Sequence, residues 1–161
     1  MRPAYATFED LFEAEKDRLL RVLSLITGST AEAEDLAQEA FTKVLERWDS
    51  VATMEDPAGY LHRAAINTFR SQYRRAARGL KHAIGREPEP DVFQRVEDRD
   101  VAAEALGRLT PRQRAALVLT EALGYSGEET GRLLGIRAST VYALTHQARI
   151  ALRANLEATD V

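Results

Sequence analysis

The stretch "YSGEETGRLLGIRASTVYALTHQAR", residues 125–149, decides how the chain folds. Ser126 and Glu129 have the spacing of a capping box, which opens a helix that Gly135 can close with a left-handed residue. A second helix begins near Ala138 to Ser139 and runs to about Asn155. Gly131, Gly135 and Val141 stand where a helix-turn-helix needs a small residue at a close approach, a glycine in the turn and a β-branched residue beneath the second helix. The outward face of that helix is then Tyr142, His146, Arg149 and Arg153, flanked by Ala143 and Gln147, while Leu144, Ala148 and Leu152 continue the buried stripe from Val141. From Ile136 to Gln147 the only fixed charge is Arg137, so this helix has the outline of a DNA reader with few cationic contacts.

The same punctuation extends outward. Thr110, Pro111 and Gln113 cap a helix that ends at Gly124. In the N-terminal half, Phe8, Leu11, Phe12, Leu19, Leu23 and Ile26 follow a helical rhythm after Thr7 until Gly28. Ser29 and Glu32 pair to open a second helix, whose stripe is Ala33, Leu36, Ala37, Ala40, Phe41, Val44 and Trp48. Asp56 before Pro57 starts a third, which runs to about Arg78. Between Gly79 and about Asp98 the rhythm fails and "EPEP" favours extended backbone. Neither strand-like alternation nor an internal repeat is present. The expected fold is all-α, with two small helical domains, 1–78 and 99–157, joined by a flexible linker, 79–98.

At 161 residues, with 45% hydrophobic and 29% charged side chains, the composition is that of a soluble globular protein. No run approaches the roughly 20 apolar residues that span a bilayer, and "MRPAYATFEDLFEAEKDRLL" is too acidic and too broken for a signal peptide, so a cytoplasmic protein is expected. The absence of cysteine excludes disulfides, thiolate catalysis and Cys-based zinc sites. The net charge of −3 is segregated: residues 1–56 carry 6 basic and 13 acidic side chains, residues 57–86 carry 7 basic and none acidic, and residues 87–161 carry 9 and 12. An acid-free basic block within an acidic chain suits one surface to a polyanion and leaves the rest for a different partner.

That block coincides with the third helix. Arg63, Asn67, Arg70 and Arg74 fall at i, i+4, i+7 and i+11 on one face, opposite Leu61, Ala65, Phe69 and Ala76. Tyr60, His62 and Tyr73 lie beside it, where rings can stack on unpaired bases while guanidinium groups track phosphates; packing in the core or at its rim is the other reading of these rings. Asn67, polar in mid-stripe, can hydrogen-bond a base edge. Enzymatic patterns are lacking. No Gly-rich phosphate loop or HExxH occurs and His62, His82 and His146 are scattered, so no catalytic residue, metal site or cofactor is expected.

The segments "AEAEDLAQEAFTKVLERWDSV", "DPAGYLHRAAINTFRSQYRR" and "ALGRLTPRQRAALVLTEALGYSGEETGRLLGIRASTVYALTHQAR" resemble regions 2 and 4 of extracytoplasmic-function (ECF) sigma factors, the small group of the bacterial sigma-70 family. The resemblance implies a promoter-specificity subunit that binds core RNA polymerase, reads the -35 element as duplex and melts the -10 element. It places Glu34, Asp35, Leu36, Gln38, Glu39 and Phe41 on the face that docks on the β′ clamp coiled coil, with the β subunit a further contact. It directs Tyr60, His62, Arg63, Asn67, Arg70 and Arg74, with Ser71 and Arg75, toward the -10 strand, a flipped base being captured near Asn67. The -35 candidates are Arg137, Ser139, Thr140, Tyr142, Ala143, His146, Gln147 and Arg149. An anti-sigma factor is a further implied partner, and no membrane insertion is implied. Where the family usually carries Lys or Arg, Ser, Arg and a second Arg in this helix, the chain has Tyr142, Ala143, Leu144 and Gln147. Gln147 can pair with adenine, and Tyr142 and Ala143 can meet a thymine methyl, so an A/T-leaning or less stringent -35 preference is expected. Two rival readings are a sigma-like decoy that binds an anti-sigma factor, which the neutral helix favours and the arginine stripe opposes, and a stand-alone helix-turn-helix regulator.

Overall fold

The computed structural model describes residues 3–79 and 101–159, and among them all regular structure is helical. Contacts gather the helices into two compact units. The first contains α1 (Phe8–Thr27) as far as Leu23, α2 (Thr30–Glu46) from Ala31 on, the short α3 (Trp48–Val51) and α4 (Pro57–Gly79). Local chemistry fixes where these helices start. The Thr7 N–H donates to the Asp10 carboxylate at 3.0 Å while the Asp10 N–H donates to Thr7 Oγ1 at 3.2 Å, and at the head of α4 Asp56 Oδ1 accepts from the Gly59 N–H at 2.9 Å.

The core of this unit is apolar and fully buried: Leu11, Leu19 and Leu23 from α1, Ala33, Leu36, Ala40 and Val44 from α2, Val51 from α3, and Leu61, Ala65 and Ile66 from α4. Burial of each large aliphatic side chain stabilises the fold by about 1.5 to 3 kcal/mol. Phe8, Phe12, Phe41 and Trp48 form an aromatic cluster with ring centroids 4.8 to 6.3 Å apart, mostly edge to face. Phe69 is half-buried, and the side chain of Ala76 lies outside the described residues.

The second unit contains α5 (Val101–Gly107), α6 (Pro111–Leu117), a π-helical turn (Val118–Ala122), α7 (Gly127–Leu134) and α8 (Ala138–Thr159). α8 is the spine against which α5, α6 and α7 pack. Leu109, Leu117 and Ala148 are buried at its base with Leu106, Ala151 and Leu152 around them. Two of the three expected capping boxes, Thr110 with Gln113 and Ser126 with Glu129, form in this unit, and Gly135 ends α7 at φ 69°. The helix expected from Thr110 to Gly124 is not uniform: α6 passes into the π turn after Leu117. Thr120 Oγ1 donates to the carbonyls of Ala116 and Leu117 at 2.8 and 3.2 Å, and the Leu123 N–H reaches Val118 O at 3.2 Å across five residues. The wider turn leaves the apolar spacing unchanged, so hydrophobic periodicity does not register it.

Gly131 lies where α7 meets the turn into α8. A Cβ there would stand 2.7 Å from Ile136 O and 3.3 Å from Ala138 N, both backbone atoms that cannot swing aside. Gly131→Ala is therefore expected to destabilise the second unit by about 1 to 3 kcal/mol, the usual cost of overpacking, read as a lower thermal midpoint. An unchanged midpoint would mean that the turn has room to relax.

Apart from Gly79 at the end of α4, the expected linker, 79–98, lies outside the described residues. Among the described residues no helix is long and apolar enough to cross a membrane.

Candidate nucleic-acid interface

α4 buries one side and exposes the other, and its basic residues fall on the exposed side. Leu61, Ala65 and Ile66 are inside, whereas Arg63, Asn67, Ser71, Tyr73, Arg74 and Arg75 are exposed and Tyr60 and Arg70 are half-buried. The ring of Tyr73 lies beside that of Phe69, centroids 6.1 Å apart, which steadies an otherwise exposed aromatic at the rim of the stripe. Lys43 of α2 braces the back of this helix, its ammonium donating to Thr68 Oγ1 at 3.0 Å while 3.5 Å from Glu39.

His62 corrects the expectation that it lies beside the stripe. Its side chain is buried, with Nε2 3.0 Å from Oε2 of the equally buried Glu15 on α1. The two groups are at hydrogen-bonding distance, with Nε2–H the donor when the carboxylate is ionised. The Tyr5 hydroxyl donates to the other carboxylate oxygen at 3.4 Å, and burial, with Glu15 beside it, raises the Tyr5 pKa above the ordinary phenol value. Thus Tyr5, Glu15 and His62 tie the N-terminal segment and α1 to the inner side of α4. Glu15 was not singled out from sequence, although a carboxylate between Leu11 and Leu19 at four-residue spacing is a signal for a buried polar pair.

On α2, Glu34, Asp35, Gln38 and Glu39 are exposed on one face. Leu36 is a second correction: it is 1% exposed and belongs to the core, so it supports this face from beneath. Phe41 is also largely buried, although its ring contributes with Phe8, Phe12 and Leu45 to a surface groove bordered by Glu34 and Gln38.

On α8, Val141, Thr145 and Ala148 are buried, and Ser139, Tyr142, Ala143, His146, Gln147 and Arg149 are exposed, with Thr140 half-buried and Arg137 exposed just before the helix. Two of these side chains are engaged within the unit. Arg149 pairs with Glu121 of the π turn, and the Tyr142 hydroxyl donates to Glu128 of α7 at 3.2 Å. Neither acidic partner was marked from sequence, because each lies on a different helix from the residue it holds. Among the described residues no group of His, Asp and Glu could hold a metal ion.

Residues 11–79 match the family model Sigma-70 region 2, and residues 99–152 match Sigma-70, region 4. The RNA polymerase sigma-E factor of Streptomyces avermitilis is 33% identical over 157 residues, covering 96% of this chain and 87% of its own. The ECF RNA polymerase sigma factor SigM of Mycobacterium tuberculosis is 30% identical over 146 residues, covering 90% and 74%. The chain belongs to the ECF sigma factors. Among solved structures, the sigma factor SigJ of Mycobacterium tuberculosis superposes with a TM-score of 0.61 at 30% identity, over 88% of this chain and 52% of that one. The sigma factor RpoE of Bartonella quintana, solved with the anti-sigma factor NepR, shares the fold at a TM-score of 0.68 and 23% identity, over 93% and 96%. As an ECF sigma factor the protein binds core RNA polymerase and directs initiation at specific promoters.

Proposed function

We propose that the three exposed faces divide the work of initiation: the acidic face of α2 docks on the β′ clamp, the basic face of α4 holds the melted -10 strand, and the outer face of α8 lies in the -35 duplex. The division of the chain into region 2 over 1–78, linker over 79–98 and region 4 over 99–157 is part of this proposal. The observation that carries it is the two-sidedness of α4, which sets Arg63, Asn67, Ser71, Arg74 and Arg75 outward over a core of Leu61, Ala65 and Ile66. Extruding a base costs a few kcal/mol of unstacking, and a face that binds the base while guanidinium groups hold the flanking phosphates offsets that cost. Asn67 supplies hydrogen bonds to the base edge, Tyr60 and Tyr73 supply stacking surface, and the arginines supply charge. His62, bonded inward to Glu15, acts as a support for α4.

The acid that repels DNA on α2 is suited to a basic surface of polymerase. Bond-making chemistry belongs to the polymerase, and this subunit contributes binding and strand separation without catalysing a reaction. It works in the cytoplasm, where the polymerase is. An anti-sigma factor is the third partner, a reading supported by the complex of the Bartonella relative with NepR.

In α8 the exposed carboxamide of Gln147 can pair with adenine, and Ala143 can offer a methyl to thymine. Selection of promoters from random DNA by the holoenzyme is expected to return -35 elements rich in A/T. A strict G/C-rich -35 consensus would refute this assignment of reading residues.

A further inference from the structure

Gly127 is an unusual residue for its place. It is the first residue of α7, is buried, and is not among the glycines with positive φ, so backbone conformation does not require it. Side-chain space does. A Cβ at Gly127 would stand 2.6 Å from Cε1 and Cζ of Tyr142 and 2.7 Å from its hydroxyl oxygen, so the Tyr142 ring occupies the space that any other residue would fill. The next residue, Glu128, accepts the hydroxyl hydrogen bond at 3.2 Å. The carboxylate, by its charge and by that bond, raises the Tyr142 pKa above the ordinary phenol value and keeps the hydroxyl a donor. The ring is therefore seated on α7 at two points, although Tyr142 remains 54% exposed.

In a helix-turn-helix the second helix enters the major groove and the first crosses the phosphate backbone. A side chain of the second helix that is tied to the start of the first lies on the backbone side. We propose that Gly127 and Glu128 form a seat that withdraws Tyr142 from the base edges, so that the -35 sequence is read by Ala143, His146 and Gln147 and Tyr142 acts from the phosphate side. This inference rests on the reading that α8 binds the -35 duplex. It assigns a role in specificity to two residues of α7 that face no base.

The experiment is selection of -35 sequences by holoenzyme reconstituted from bacterial core RNA polymerase with wild type, Tyr142→Ala, Gly127→Ala or Gln147→Ala. Because the ring reads no base, Tyr142→Ala is expected to keep the base preference and to lower affinity evenly across sequences. Gly127→Ala meets only the far end of a movable side chain, so the fold accommodates it and the ring is turned out toward the groove. That variant is expected to change the favoured base at one or two positions by about tenfold, the scale of a direct base contact. A change of base preference with Tyr142→Ala, or an unaltered preference with Gly127→Ala, overturns the seat. Gln147→Ala separates this from the underlying reading. If it changes the preference while Gly127→Ala does not, α8 reads DNA and the seat alone is wrong; if none of the three variants changes it, the -35 reading by α8 fails and takes the seat with it.

Discussion

Asn67→Ala combined with Arg70→Ala is expected to leave binding to core polymerase intact and to slow promoter opening by about a hundredfold, since a base-edge or strand contact of this kind contributes about 1 to 3 kcal/mol. Both residues belong to α4, and the acidic face proposed for polymerase belongs to α2, so the variant separates docking from melting. Asn67 is exposed, and its truncation opens no cavity. Arg70 is half-buried, and a thermal melt of the variant shows whether its aliphatic stem also supports the fold. The measurement is permanganate reactivity of -10 thymines, followed by run-off transcription. Normal opening by the variant would remove α4 from the melting step, and failure to bind polymerase would mean that the two surfaces are not separate.

The second large effect is on stability. Glu15→Ala leaves the His62 imidazole buried without its acceptor, and removing one member of a buried pair costs about 3 to 5 kcal/mol when the pair is charged and about 1 to 3 kcal/mol when the donor is neutral. A loss of about 3 kcal/mol is expected, a large fraction of the 5 to 15 kcal/mol that holds a typical domain. Urea unfolding should show a lower midpoint with an unchanged slope. His62→Ala, which instead leaves the carboxylate buried, should be comparably harmful. A change below about 0.5 kcal/mol in both, the range of ordinary surface substitutions, would mean that water replaces the missing partner.

Much of the architecture is written locally and can be read without the structure. The Thr110–Gln113 and Ser126–Glu129 boxes, Asp56 ahead of Pro57 and Gly135 at the end of α7 each act within a few residues, and each forms in the folded chain. The faces of α4 follow from the same arithmetic carried further. His62 shares its side of the helix with Ile66, one turn on, and Ile66 is buried, so the inward position of the imidazole was legible from spacing. Its partner was not. Glu15 is 47 residues away, and only packing brings α1 against α4. The same applies to Arg149 with Glu121 and to Tyr142 with Gly127 and Glu128, which meet across helices. On α2 the exposed acids and the buried Leu36 alternate at helical spacing, so a motif match that groups them as one surface joins residues that the fold sends in opposite directions. The π turn is lost to sequence reading for a different reason: a wider backbone turn does not alter which residues are apolar.

On the proposed division of work, one chain carries separate surfaces for polymerase and for both promoter elements. The decisive measurement is gel filtration of the full chain with bacterial core RNA polymerase, followed by transcription from promoters selected with that holoenzyme. Co-elution with the core enzyme and initiation that depends on both the -10 and the -35 sequence are expected. A chain that binds no core enzyme, including that of its own host, would contradict that division.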